Sequence, residues 1–159
     1  MGCLPPALHD PVSEQWTIAA ALVHVTCDPE ALEFYHQTRQ LLPAMLQEVR
    51  AEDFLGELER EAWRAIDELA QRDGPSGVNQ LTVSHELLRR GVKGAELARL
   101  SEWVAELPTP LLGIHAAQLV HQAAERRRKM QHLQEEAKAL ARGEDAPHIA
   151  ARNRYSRLV

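Results

Sequence analysis

The chain has 159 residues, 45% of them hydrophobic and 26% charged, with 18 Lys and Arg against 23 Asp and Glu for a formal net charge of −5. A domain of that length buries roughly 68–70% of the surface its unfolded chain exposes, so a core forms without disulfides or metals. The acidic balance excludes a protein whose whole surface grips nucleic acid, and two cysteines without Cys-x-x-Cys spacing exclude a disulfide framework.

The start, Met1-Gly2-Cys3-Leu4-Pro5-Pro6, has neither the basic stretch nor the apolar run of a signal peptide, and Pro6 stands where myristoylation wants Ser or Thr. No stretch approaches the ~20 apolar residues of a membrane span. The expectation is a soluble, reduced, cytoplasmic protein with no membrane partner. Strand alternation is missing throughout, and helix signals recur. Asp10-Pro11 caps a first helix over Val12–Val25, with Trp16, Ala19, Ala20 and Val23 on one stripe and Ile18 and Leu22 beside it. Asp28-Pro29 starts a second helix holding Leu32, Tyr35 and His36. Pro43 is expected to break or kink that segment, with a short helix following through Met45, Leu46 and Val49. Asp53 is the expected cap of a helix running to Arg72, whose apolar face is Phe54, Leu58, Ala62, Ala65, Ile66, Leu69 and Ala70.

Gly74-Pro75-Ser76-Gly77 is a loop. A short helix then begins at Leu81 or Thr82, passes through Leu87 and Leu88, and ends on Gly91. Another covers Ala95–Leu107, with Leu97, Leu100, Val104 and Leu107 inside, and Pro108-Thr109-Pro110 stops it. The longest uninterrupted pattern is 111–142. As one helix it would be about 48 Å long, too long for a compact domain, so it either folds into a hairpin or finds a partner. Ala116, Leu119, Ala123, Met130, Leu133, Ala137 and Leu140 follow a 3-4 spacing broken at Arg126, which is the pattern of a coiled-coil seam and the expected self-association surface. The expected division is thus a bundle over 1–110, a long helix or hairpin over 111–142, and a basic tail over 143–159.

Charge divides along the same line: residues 1–120 carry 9 Lys and Arg and 18 Asp and Glu, and residues 121–159 carry 9 and 5. The basic arm offers Arg126, Arg127, Arg128 and Lys129, then Arg152, Arg154 and Arg157. These suit nucleic-acid phosphates or an acidic partner. The run 126–129 reads more readily as a solvated helix face beside Glu125, Glu135 and Glu136, because four consecutive helical positions point in several directions.

Chemistry is sparse. Gly91-Val92-Lys93-Gly94 lacks the spacing of a phosphate-binding loop. Of the 8 histidines, His85-Glu86 lacks the second histidine of a zinc protease helix, and His115 and His121 fall on different faces. Ser13, Ser84 and Ser101 have no nucleophile-elbow context, and Cys27 reads as incidental. Glu57, Glu59 and Glu61 read as a solvated face balanced by Arg60 and Arg64. No catalytic residue, metal or cofactor is expected.

The order of segments resembles the N-terminal domain of the DnaB-type replicative helicase. Leu4-Pro5-Pro6 is similar to the start of that domain, and Glu14-Gln15 with Ile18-Ala19-Ala20-Ala21-Leu22 to its first helix. Asp28-Pro29-Glu30-Ala31-Leu32 resembles the turn that follows it. Glu52-Asp53-Phe54 and Ala65-Ile66-Asp67-Glu68-Leu69 resemble the next helix. The longest stretch runs from Asn79 to Gly91, against a family pattern Asp-x-x-Thr-Leu-x-x-Glu-Leu-x-x-Arg-Gly. Glu102-Trp103-Val104-Ala105-Glu106-Leu107 and Thr109-Pro110 resemble what precedes the family's long helices. Coverage is roughly residues 4–142, with about a dozen extra residues between Leu32 and Glu52 and without the ATPase motor.

The resemblance implies an all-α fold, a compact bundle followed by long helices or a hairpin that pairs subunits. It implies binding to primase or to the replicative helicase, as a homodimer or higher oligomer, without catalysis. A DNA-binding accessory protein using the basic arm is the alternative. The tail resembles no part of the motor, which favours a stand-alone protein over a fragment.

Overall fold

A computed structural model describes residues 8–26 and 40–143. Those residues form six α-helices and no strand: α1 (Pro11–Leu22), α2 (Leu41–Glu48), α3 (Glu57–Asp73), α4 (Gln80–Arg89), α5 (Gly94–Glu106) and α6 (Leu112–Ala141). Short 3-10 turns lie at His24–Thr26, Ala51–Asp53 and Pro75–Gly77. The expected helix with Leu32, Tyr35 and His36, both cysteines, and the tail residues Arg152, Arg154 and Arg157 lie outside the described residues. The chain divides into two compact units inside α6, the first ending at Ala124 and the second starting at Glu125.

In the first unit α1 is central. It packs against α5, α3 and α2, while α3 packs on α4 and α4 on α5. Asp10 caps α1, its Oδ1 accepting from the Ser13 amide at 3.1 Å, with Pro11 at the first helical position. The expected single stripe is wrong for this helix. Every residue from Thr17 to Leu22 is buried, whereas Trp16 and Val23 are half-buried. A helix walled on several sides has no polar face for periodicity to find, and its alanines let the neighbours approach closely. It also ends three residues earlier than expected, the Val23 amide being shared between the Ala19 and Ala20 carbonyls.

The short helix expected through Met45 and Leu46 is α2, with Val49 just past its end, and the segment that Pro43 was expected to break lies outside the described residues. Pro43 is the third residue of α2, within the first turn, where a backbone N–H has no helical partner to lose. Asp53 is not the cap of α3. It is buried in the 3-10 turn, where its Oδ2 accepts from the Arg50 amide at 3.0 Å. Gly56 is the residue before α3, and no side chain caps that helix. The buried Glu14 carboxylate accepts from the Leu55 amide at 3.1 Å and the Gly56 amide at 2.9 Å, fastening the start of α3 onto α1.

The α3 face is Leu58, Ala62, Ala65, Ile66 and Leu69, as expected, together with Trp63. Trp63 stacks tilted on Phe54 at 5.5 Å between ring centroids and donates its Nε1–H to the Val49 carbonyl at 3.3 Å. On α5 Leu100 and Trp103 are the fully buried residues, and Leu97, Val104 and Leu107 pack half-buried at the edge of the core. Helix α4 starts one or two residues before the expected Leu81 or Thr82. Asn79 and Thr82 form a reciprocal capping box, at 2.9 Å from the Thr82 amide to Asn79 Oδ1 and 3.1 Å in return. It ends on Gly91 at φ +89°, where Val92 N–H reaches the Leu87 carbonyl at 2.9 Å and Gly91 N–H the Leu88 carbonyl at 3.0 Å. Those two bonds make a Schellman closure, which needs the left-handed backbone that glycine adopts without strain.

Candidate interaction surface

Helix α6 is set by the turn Pro108-Thr109-Pro110, whose Thr109 and Pro110 carbonyls accept from the Leu112 and Gly113 amides at 3.2 and 2.9 Å. Gly113 fits tightly: a Cβ there would meet the Ala20 Cβ at 2.7 Å and the Met45 Sδ at 2.8 Å. Ile114, Ala117 and Val120 join the hydrophobic core, and His121 Nδ1 lies 3.2 Å from Asp53 Oδ2. The bundle therefore takes in the opening turns of α6 rather than closing at residue 110.

Residues three and four apart share a helix face, so the seam residues form one stripe. The stripe changes character along its length. Ala116 and Ala123 are 2% and 3% exposed, and Leu119 is half-buried. Met130, Leu133 and Leu140 are 44%, 63% and 61% exposed, and Ala137 is exposed as well. Ala116 and Ala123 are thus taken up within the monomer, and the free apolar surface begins at Met130. In that stretch a second face is covered, with Ala139 fully buried and His132 and Glu136 half-buried.

Arg126, Arg128 and Lys129 are exposed and Arg127 is half-buried. Four consecutive residues span about 300° of a helix, so this is a collar of charge around α6 and not a stripe. Arg126 occupies the stripe position between Ala123 and Met130.

The polar clusters of the first unit are structural. Ser13 donates its hydroxyl to Asp10, and Gln80 donates to Ser101. Glu86 is held by Arg89 and Arg90, and Arg90 also pairs with Glu61 and Glu68 across to α3. The Arg89 guanidinium, with Arg90 adding to it, pulls the Glu86 carboxyl down to about 2. Glu59, expected on a solvated face, is buried and folds back over Gly56. Burial pushes its carboxyl above the ordinary value; the Glu14 charge adds to this, and a hydrogen bond from its own backbone and the charges of Arg99 and His9 oppose it. Gly56, Glu59, Arg90 and Arg99 line a groove of about 1070 Å³ whose walls mix both charges. The residues around it are tied into caps and ion pairs. Among the described residues no three His, Cys, Asp or Glu side chains converge as metal ligands. No described helix is long and apolar enough to cross a membrane.

These helices define the fold class: an all-α bundle with a long C-terminal helix. The chain is similar to the solved N-terminal domain of DnaB helicase from Mycobacterium tuberculosis, with a TM-score of 0.74 at 20% identity over 96% of this chain and 99% of that one. The chain has the fold of that domain. No protein-family model matches the sequence, and no curated protein matches it.

Sequence reasoning placed the seam on one stripe. It did not place the boundary between covered and open residues, although a signal for it exists. Residues 112–124 carry no Asp, Glu, Lys or Arg, and charge returns at Glu125.

Proposed function

We propose that the chain is a non-catalytic protein–protein interaction module of DNA replication that self-associates through the second half of α6. The observation that carries this reading is the exposed run Met130, Leu133, Ala137 and Leu140 on a domain with the helicase N-terminal fold. Large apolar side chains at consecutive heptad positions are covered when two such helices pack together. Each exposed Leu or Met covered in this way contributes up to about 1.5–3 kcal/mol. The partner surface for primase or the replicative helicase belongs to the same reading, since a paired module presents two copies of every other face.

Sedimentation of the purified chain tests it. Expected is a dimer or higher oligomer at micromolar concentration that a Leu133→Lys, Leu140→Lys double variant converts to monomer. A strict monomer at high micromolar concentration, unchanged by the substitutions, overturns it. Recovery of primase or helicase from native extract tests the partner.

The exposure of Arg126, Arg128 and Lys129 favours a second reading, a DNA-binding accessory. It requires DNA affinity that falls steeply between about 50 and 200 mM salt. A DNA mobility unaffected by the protein at low salt ends it.

A further inference from the structure

Helix α4 has an apolar outer face that the bundle does not use. Its inner side is Val83, Glu86 and Leu87, all buried, and its outer side carries Leu81, Ser84, His85 and Leu88. Leu81 is 79% exposed and Leu88 53%. Among the described residues before α6, these are the exposed large apolar side chains that share a helix; Val12, Val25 and Leu55 stand on three separate segments. Residues seven apart lie on one face, about 10 Å along the axis, with His85 between them. The joints of α4 are made by other residues. Asn79 and Thr82 open it, Gly91 closes it, Gln80 donates to Ser101 of α5, and Arg90 reaches Glu61 and Glu68 of α3.

Charge sets the kind of partner. From Gln80 to Lys93 the sole acid is Glu86, against Arg89, Arg90 and Lys93, although residues 1–120 carry 9 Lys and Arg against 18 Asp and Glu. Glu86 is buried and held by Arg89 and Arg90, so the outer face of α4 presents no carboxylate of its own. The Arg89 side chain is 66% exposed and spends Nε and Nη2 on Glu86, which leaves Nη1 unpaired on the residue after Leu88. We propose that this face docks one amphipathic helix of a partner protein, which brings apolar side chains two turns apart and carboxylates along the edge that meets Arg89. The apolar pair supplies the contact area and the guanidinium fixes the orientation. A helix pinned at both ends loses little freedom on binding. The proposal rests on the interaction-module reading and deepens it by naming a face and the chemistry of its partner, and it uses neither α6 nor the stripe on it.

The probe is a synthetic helical peptide of about 18 residues with leucines at heptad spacing and glutamates beside them, titrated into the isotope-labelled full chain and followed by its amide NMR signals. Expected are saturable shifts centred on Leu81, Ser84, His85, Leu88 and Arg89, and binding about tenfold weaker when lysines replace the glutamates of the peptide. Leu81→Glu with Leu88→Glu should weaken binding by about tenfold or more. The Leu133→Lys, Leu140→Lys variant, altered on α6 alone, should bind the peptide as the unaltered chain does, so that loss of docking and loss of self-association are separate results. Circular dichroism establishes that each variant keeps its helices. No saturable shift up to about 1 mM peptide, equal binding of the two peptides, or shifts confined to α6 overturns the proposal. A change in the sedimenting species on Leu81→Glu with Leu88→Glu makes a second copy of the chain the occupant and overturns it as well.

Discussion

From Leu112 to Ala124, α6 is a core helix, with Ile114, Ala117, Val120 and Ala123 buried. From Glu125 to Ala141 the same helix exposes Met130, Leu133 and Leu140. Apolar spacing is shared by both halves; the charge between the apolar positions is not. The first half carries none, and the second carries Glu125, Arg126, Arg127, Arg128, Lys129, Glu135, Glu136 and Lys138. An apolar stripe bordered by alanines and uncharged polar residues can be enclosed, whereas charges on the flanking positions keep solvent around the helix, because burying them unpaired is costly. Periodicity identifies a face, and the residues off that face decide whether the monomer covers it.

Substitution by the same rule in the two halves should give opposite results. Ile114→Ala should destabilise the chain by about 2–5 kcal/mol in urea unfolding, the usual range for truncating a buried isoleucine. Gly113→Ala comes next, at about 1–3 kcal/mol, because the Ala20 Cβ has no flexible end to move aside. Leu133→Lys with Leu140→Lys should leave monomer stability within about 0.5 kcal/mol while changing the sedimenting species. If Leu133→Lys unfolds the chain as Ile114→Ala does, the contrast between the halves is wrong.

Acid gives the smallest and most local effect. Glu86 sits at about 2 in the folded chain, below the ordinary carboxylate value. A lowered folded pKa stabilises above the unfolded pKa and is lost as pH falls towards 2. The urea midpoint should therefore fall between about pH 4.5 and 2, and Glu86→Gln should flatten that part of the curve. Glu59 is raised and has the opposite sign: its contribution is present below the unfolded pKa and is lost as pH rises through the folded value. Glu59→Gln should flatten the higher-pH side instead.

Much of the architecture was legible because it rests on local chemistry. Asp10-Pro11, the Gly74–Gly77 loop, Gly91 and Pro108-Thr109-Pro110 punctuate the chain by backbone preferences that act within a few residues. Asp53 misled because a helix cap and a buried acid look alike in sequence. Glu14 closing the start of α3 spans more than forty positions, and no local rule anticipates it. Trp63 and Trp103 were overlooked because their neighbours supplied sufficient periodicity without them. On α6 the stripe was visible, but the change from covered to exposed along it was not, since the apolar spacing is the same in both halves.

Several of the residues that carry the helicase resemblance share one occupation. Glu14 fastens the start of α3, Asp53 and Phe54 fill the turn before it, Asn79 and Thr82 open α4, and Gly91 closes it. These six are joinery within residues 14–91, whereas on α6 the exposed large apolar residues start at Met130. A frame built this way keeps its outline at 20% identity.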